Sequence, residues 1–155
     1  MPRITLHVLM YDLVTGTPYS SLTVGAPRET YPNERRVSLT PQNVTLLKKQ
    51  GFSNVLVERN AGAAAQFLDG DYAKAGATLV SKDELYKKTD ILLKVRPPSQ
   101  NEEVTALKEG STIISFLYPA QNKSLVEKLA SRKVNAFAMD MIPRISRAQT
   151  FDALR

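Results

Sequence analysis

Six short apolar runs recur along the chain: 22–26, 55–58, 78–80, 90–95, 112–117 and 134–139. The segments between them carry helix punctuation. Thr40-Pro41 is an N-cap followed by a first-turn proline, and Gly51 closes the amphipathic stretch that contains Val44, Leu46 and Leu47. Ser81 with Glu84 three residues on has the form of a capping box. Asp71 to Ala75, ended by Gly76, predicts a brief helix. Glu102 to Lys108, ended by Gly110, predicts another, and Leu125, Val126 and Leu129 mark a last helix running to Lys133. Strands that alternate with helices at this spacing demand a mostly parallel sheet with right-handed crossovers and helices on both faces. The run 90–95 is nearly all apolar and predicts a strand buried on both sides. The run 134–139 also predicts a buried strand.

The expected fold is therefore α/β, a flavodoxin- or Rossmann-like three-layer sandwich. It lacks the Gly-rich dinucleotide fingerprint, since neither G-x-G-x-x-G nor G-x-x-x-x-G-K-[ST] occurs. Length and composition (155 residues, 43% hydrophobic, 23% charged) suit one globular domain. Residues 1–20 fall outside the regular pattern and are read as a poorly ordered extension, leaving 21–155 as the domain. The net charge of +6 is spread along the chain with no nucleic-acid motif, which argues against a nucleic-acid partner. There is no cysteine, and His7 is the only histidine. Thiolate metal sites, histidine zinc sites and a Ser-His-Asp triad in the core are thereby excluded, and no metal is expected. No apolar run reaches the ~20 residues needed to span a bilayer.

In open α/β sheets, ligands bind beyond the carboxyl ends of the strands. That rule brings four polar groups to one rim: Arg28 to Arg36, Lys94, Tyr118 to Asn122, and the basic loop 141–152. Arg36, Lys94, Arg144, Gln149 and Asp152 together would suit an anionic or polyhydroxyl ligand. Each has an alternative. Arg36 either faces a ligand or pairs with Glu29 or Glu34. Lys94 lies in an apolar run, where an unpaired lysine is costly, so it is paired or functional. Tyr118 either packs or lines the site. Asp83 and Asp90 read as cap or turn residues, and Gly62 and Gly76 as turn and cap glycines.

Five ordered motifs carry a family resemblance. They are Val24-Gly25-Ala26-Pro27-Arg28-Glu29 with Asn33-Glu34-Arg35-Arg36-Val37; Leu93-Lys94-Val95; Ser115 to Asn122; Ala138-Met139-Asp140; and Pro143-Arg144-Ile145-Ser146-Arg147-Ala148-Gln149 with Asp152. From about Leu22 to Leu154 the chain resembles the N-terminal part of the family that contains alanine dehydrogenase and the NAD(H)-binding component of proton-translocating NAD(P) transhydrogenase. The resemblance implies that Arg144, Gln149 and Asp152 organise the nicotinamide end of NAD(H). It implies that Arg36 and Lys94 match the arginine and lysine that hold pyruvate in alanine dehydrogenases. The acid/base histidine of those enzymes is Tyr118 here, so the transhydrogenase branch is the better match. The family's closing serine is Arg155, and its Gly-Ala-Gly turn reads Asn60-Ala61-Gly62.

On this resemblance the chain is expected to be a truncated member, one wall of an NAD(H) cleft and inactive alone. Its partners would be a Rossmann NAD domain, a membrane domain and an NADP(H) domain, the last binding NADP(H); a homodimer is compatible. The family location implied is the matrix side of the mitochondrial inner membrane or the cytoplasmic side of a bacterial one. An alanine-dehydrogenase-type half-site and a non-catalytic interaction module are the alternatives.

Overall fold

The computed structural model describes residues 16–99, 101–143 and 145. Eleven principal elements alternate in order: β1 Thr23–Ala26, α1 Pro41–Lys49, β2 Asn54–Glu58, α2 Asp69–Lys74, β3 Thr78–Val80, α3 Lys82–Lys88, β4 Ile91–Leu93, α4 Glu103–Ala106, β5 Thr112–Ser115, α5 Lys123–Ser131 and β6 Asn135–Ala138. The strands form one six-stranded sheet in the order β3-β2-β1-β4-β5-β6, and every pairing is parallel. This is the Rossmann order, with the chain reversing direction across the sheet between β1 and β4.

The expected caps form. Thr40 accepts from the Asn43 N–H at the start of α1, and Gly51 adopts a left-handed φ of 104° just beyond its end. Ser81 accepts from the Glu84 N–H, but the Glu84 carboxylate turns outward to Lys88 at 2.7 Å, so the capping box is half made.

Two apolar clusters sit on opposite faces of the sheet. On the first face, Ala26, Val55 and Val57 pack under α1 and α2 with Val44 and Tyr72. On the second, Leu56, Leu92 and Ile113 pack under α3, α4 and α5 with Leu85, Val104, Leu125 and Leu129. Period-two alternation sends neighbouring residues of each strand to opposite clusters.

Several expectations are corrected. β4 stops at Leu93, so Lys94 stands beyond the strand, and β5 stops at Ser115, short of Leu117. α4 is a single turn, Glu103–Ala106, rather than a helix running to Lys108. The largest difference is β6. It is the sheet edge and is exposed rather than buried, with Phe137 at 59% exposure. Apolar character alone does not separate an edge strand from a central one; only the strand order does. Gly62 has an ordinary negative φ of −92°. It is needed because a β-carbon there would lie 2.6 Å from the Tyr72 hydroxyl, not because the turn requires glycine. Asn60 supplies the left-handed residue of that turn, φ 62°.

Candidate functional site

The parallel sheet delivers the loops after β1, β4 and β5 to one rim, as the strand-end rule requires. At its centre is a buried ionic cluster. Lys94 Nζ lies 3.4 Å from Glu29 and 3.3 Å from Glu103, and all three side chains are 1–2% exposed. Glu29 also accepts the backbone N–H groups of Val95 (2.6 Å) and Arg96 (3.3 Å), and Glu103 accepts that of Ser99 (2.8 Å). Lys94 is thus paired, and its two carboxylates tie the β1 loop and α4 to the end of β4.

A second cluster lies at the surface. Glu34, its side chain only 4% exposed, accepts from Arg36 Nε (2.8 Å) and Nη2 (2.7 Å) and from Arg96 Nε (2.7 Å). Hydrogen bonds from Arg36, with Arg96 adding to them, outweigh burial and lower the Glu34 pKa from 4.5 to about 2. Because the folded-state value is depressed, the stabilisation is present above pH 4.5 and is lost as pH falls towards 2. Arg36 is 58% exposed, so solvent screening holds the effect to about 1 kcal/mol or less. Urea titrations across that window are expected to show the wild-type chain losing this increment relative to Glu34→Gln; parallel acid limbs would sink the assignment.

The third part of the rim is the turn after β5. Asp140 accepts from the N–H groups of Leu117 (2.8 Å) and Tyr118 (3.1 Å). Tyr118 is held at a left-handed φ of 47°, and Asn122 Nδ2 donates to the Leu117 carbonyl at 2.9 Å. The Tyr118 ring stacks on Phe116.

Two clefts open between these parts. One, of about 370 Å³, is lined by Arg36 and Lys94 with Leu93, Ile114, Phe116 and Met139. The other, about 390 Å³, is lined by Tyr31, Arg96, Pro97, Tyr118, Gln121 and Asn122. In it the Arg96 guanidinium lies over the Tyr31 ring at 4.9 Å, a cation–π contact. So Arg36 and Lys94 share a cleft, while Tyr118 faces the neighbouring one. Arg144, Gln149 and Asp152, the expected nicotinamide contacts, lie outside the described residues, as does His7. Asp90 is structural, accepting from the Thr23 N–H and from Lys108. Among the described residues there is no group of His, Cys, Asp or Glu that could hold a metal, and no helix long and apolar enough to cross a membrane.

Sequence reasoning missed Glu103 and Asp140 and placed Glu29 only as a candidate partner of Arg36. The available signal was the lone lysine in an apolar run, which calls for a carboxylate but does not say which one.

The sequence profile of the family described as "Alanine dehydrogenase/PNT, N-terminal domain" matches residues 25–155. The chain belongs to this family. The NAD(P) transhydrogenase subunit alpha of Haemophilus influenzae is 44% identical over 131 residues, 84% of this chain and 25% of that relative. The crystal structure of transhydrogenase from Sinorhizobium meliloti superposes with a TM-score of 0.80 at 36% identity, over 85% of this chain and 39% of that one. An L-alanine dehydrogenase structure gives a TM-score of 0.75 at 28% identity, over 81% of this chain and 34% of that one. The chain therefore spans a quarter to two fifths of these relatives. Within the family, this chain is similar to the N-terminal domain of a transhydrogenase alpha subunit.

Proposed function

We propose that the chain forms one wall of the NAD(H) cleft of a proton-translocating NAD(P) transhydrogenase, serving hydride transfer between NADH and NADP+. The observation that carries this is the 44% identity to a subunit named for that activity. The rim is compatible with it. Gln121, Asn122 and Tyr118 offer amide and hydroxyl groups suited to a carboxamide and ribose hydroxyls, with Arg96 beside them. By resemblance Arg144, Gln149 and Asp152 complete that wall. The nicotinamide supplies the hydride chemistry; the wall orients it and keeps water away. The 155 residues contain no Gly-rich pyrophosphate turn, so turnover requires the further NAD, membrane and NADP(H) domains or subunits at a membrane surface.

The alanine dehydrogenase reading is favoured by Arg36 and Lys94 sharing a cleft. It is opposed by Tyr118 in place of an imidazole, and by the commitment of both cations to carboxylates.

Calorimetric titration of the chain with NADH is expected to give no heat up to millimolar ligand. Saturable micromolar binding abolished by Gln149→Ala would show a complete site and overturn the partial-wall reading. Grafting residues 25–155 in place of the matched segment of the Haemophilus subunit is expected to preserve hydride transfer and to lose it with Gln149→Ala. A folded chimera that does not bind NADH would overturn the transhydrogenase assignment.

A further inference from the structure

The cations are spread along the sequence but not in space. At the centre of the carboxyl rim they are neutralised: Lys94 meets Glu29 and Glu103, and Arg36 and Arg96 share Glu34. At the opposite end, where helices finish and strands begin, lysines accumulate. Lys48 and Lys49 close α1, Lys74 closes α2, and Lys87 and Lys88 close α3. Lys108 joins them from the loop that leads into β5. Lys49, Lys74 and Lys87 have no ionic partner among the described residues.

A helix macrodipole favours a cation in the last turn, which accounts for a lysine at the end of each helix. It does not account for three of them meeting. Lys87 and Lys88 from α3 and Lys108 from beyond α4 line one cleft of about 450 Å³, together with Thr23, Asn54 and Asp90. Lys48 stands beside it, its ammonium on the Ser53 carbonyl at 2.6 Å, next to Asn54. Like charges gathered round one hollow repel each other, and an anion relieves that repulsion. The Asp90 carboxylate offsets little of it, being engaged by the Thr23 N–H at 3.0 Å and by Lys108 at 2.6 Å. Lys88 pairs with Glu84 at 2.7 Å. Exposed pairs such as these two are weak, so both ammoniums can turn to a ligand of higher charge. Lys87 brings an unpaired charge already.

The lining also selects the kind of anion. Ammoniums, the Asn54 amide and the Thr23 hydroxyl are all able to donate to phosphate oxygens. Lysine is a compact point charge without the planar fork that matches a single carboxylate, so several lysines suit a ligand with several charged oxygens. No aromatic ring lines the cleft to stack a base or a nicotinamide. We propose that this cleft binds a compact multivalent phosphate, of the di- or triphosphate class. The site is independent of the NAD(H) reading, since it uses no residue of the carboxyl rim.

The probe is sodium tripolyphosphate, titrated calorimetrically into the chain at about 0.1 M sodium chloride, where charges beyond about 10 Å are screened. Saturable binding is expected, with sulfate at matched ionic strength binding about tenfold more weakly. Lys87→Glu is expected to weaken tripolyphosphate binding about tenfold, and Lys87→Gln, with half the change in charge, about threefold. Lys74→Glu makes the same charge reversal at the end of α2, outside the cleft, and is expected to leave binding within about twofold. No saturable heat at millimolar tripolyphosphate would overturn the proposal. Equal weakening by Lys74→Glu and Lys87→Glu would overturn it in favour of a diffuse basic field. Co-sedimentation with vesicles of phosphatidylglycerol and phosphatidylcholine in equal parts, without tripolyphosphate binding, would assign this end of the sheet to a lipid surface instead.

Discussion

Lys94→Met is expected to destabilise the domain by about 3–5 kcal/mol, the usual effect of removing one partner from a buried ion pair. Methionine keeps the length and apolar stem of lysine but leaves the Glu29 and Glu103 carboxylates facing each other's charge at 1–2% exposure. Their backbone donors at Val95, Arg96 and Ser99 soften the loss without neutralising it. The triple variant Lys94→Met/Glu29→Gln/Glu103→Gln is expected to recover most of the stability, because the glutamine carbonyls still accept the Val95 and Ser99 N–H groups and carry no charge, with only the longer contact from the Arg96 N–H given up. Urea denaturation followed by circular dichroism measures both. A loss under about 1 kcal/mol for the single variant would mean that water reaches the cluster. The consequence reaches the site, since Glu29 belongs to the loop that carries Arg36, and Glu103 to the turn that follows Arg96. A variant that folds but has lost the tie would present a displaced rim.

Gly62→Ala is expected to cost about 1–3 kcal/mol, although the backbone there would welcome alanine. At a φ of −92° the substitution alone would be neutral or would stabilise by about 0.4–1 kcal/mol through the unfolded chain. The two accounts therefore differ in sign. The added β-carbon meets the Tyr72 hydroxyl at 2.6 Å, its Cε2 at 2.7 Å and the Phe67 β-carbon at 2.9 Å. Tyr72 cannot step aside cheaply. It is fully buried, it donates to the Leu39 carbonyl at 2.7 Å, and burial raises its pKa to about 12. Pairing the change with Tyr72→Leu is expected to give a coupling energy that offsets part of the two separate losses. A thermal melt in which Gly62→Ala matches or exceeds the wild-type chain would discard the packing explanation.

Much of the fold was readable because it rests on local signals. Thr40-Pro41, Gly51 and Ser81 act within a turn of their own position, so cap chemistry located these helix ends without knowledge of the partner elements. The alternation of strands and helices required a parallel sheet, and the strand-end rule put Arg36, Lys94 and Tyr118 on one rim. The resemblance supplied the family from motifs that stand intact in the sequence.

What stayed hidden depends on neighbours distant along the chain. Lys94 called for a carboxylate, but Glu29 lies on a loop that reaches it only because β1 pairs with β4. Gly62 looked like a turn glycine because the ring that excludes a side chain, Tyr72, arrives from α2. Asp140 gained its role by meeting the Leu117 and Tyr118 amides across the β5–β6 step. The strand at β6 is as apolar in sequence as a central one, and its place at the edge follows from strand order alone. The sequence by itself determined the α/β class, the helix limits set by local caps, and the family. The tertiary structure decided which carboxylate meets which cation, which glycine is crowded, and which strand becomes the exposed edge, because burial and ion pairing depend on what the fold brings within a few ångströms.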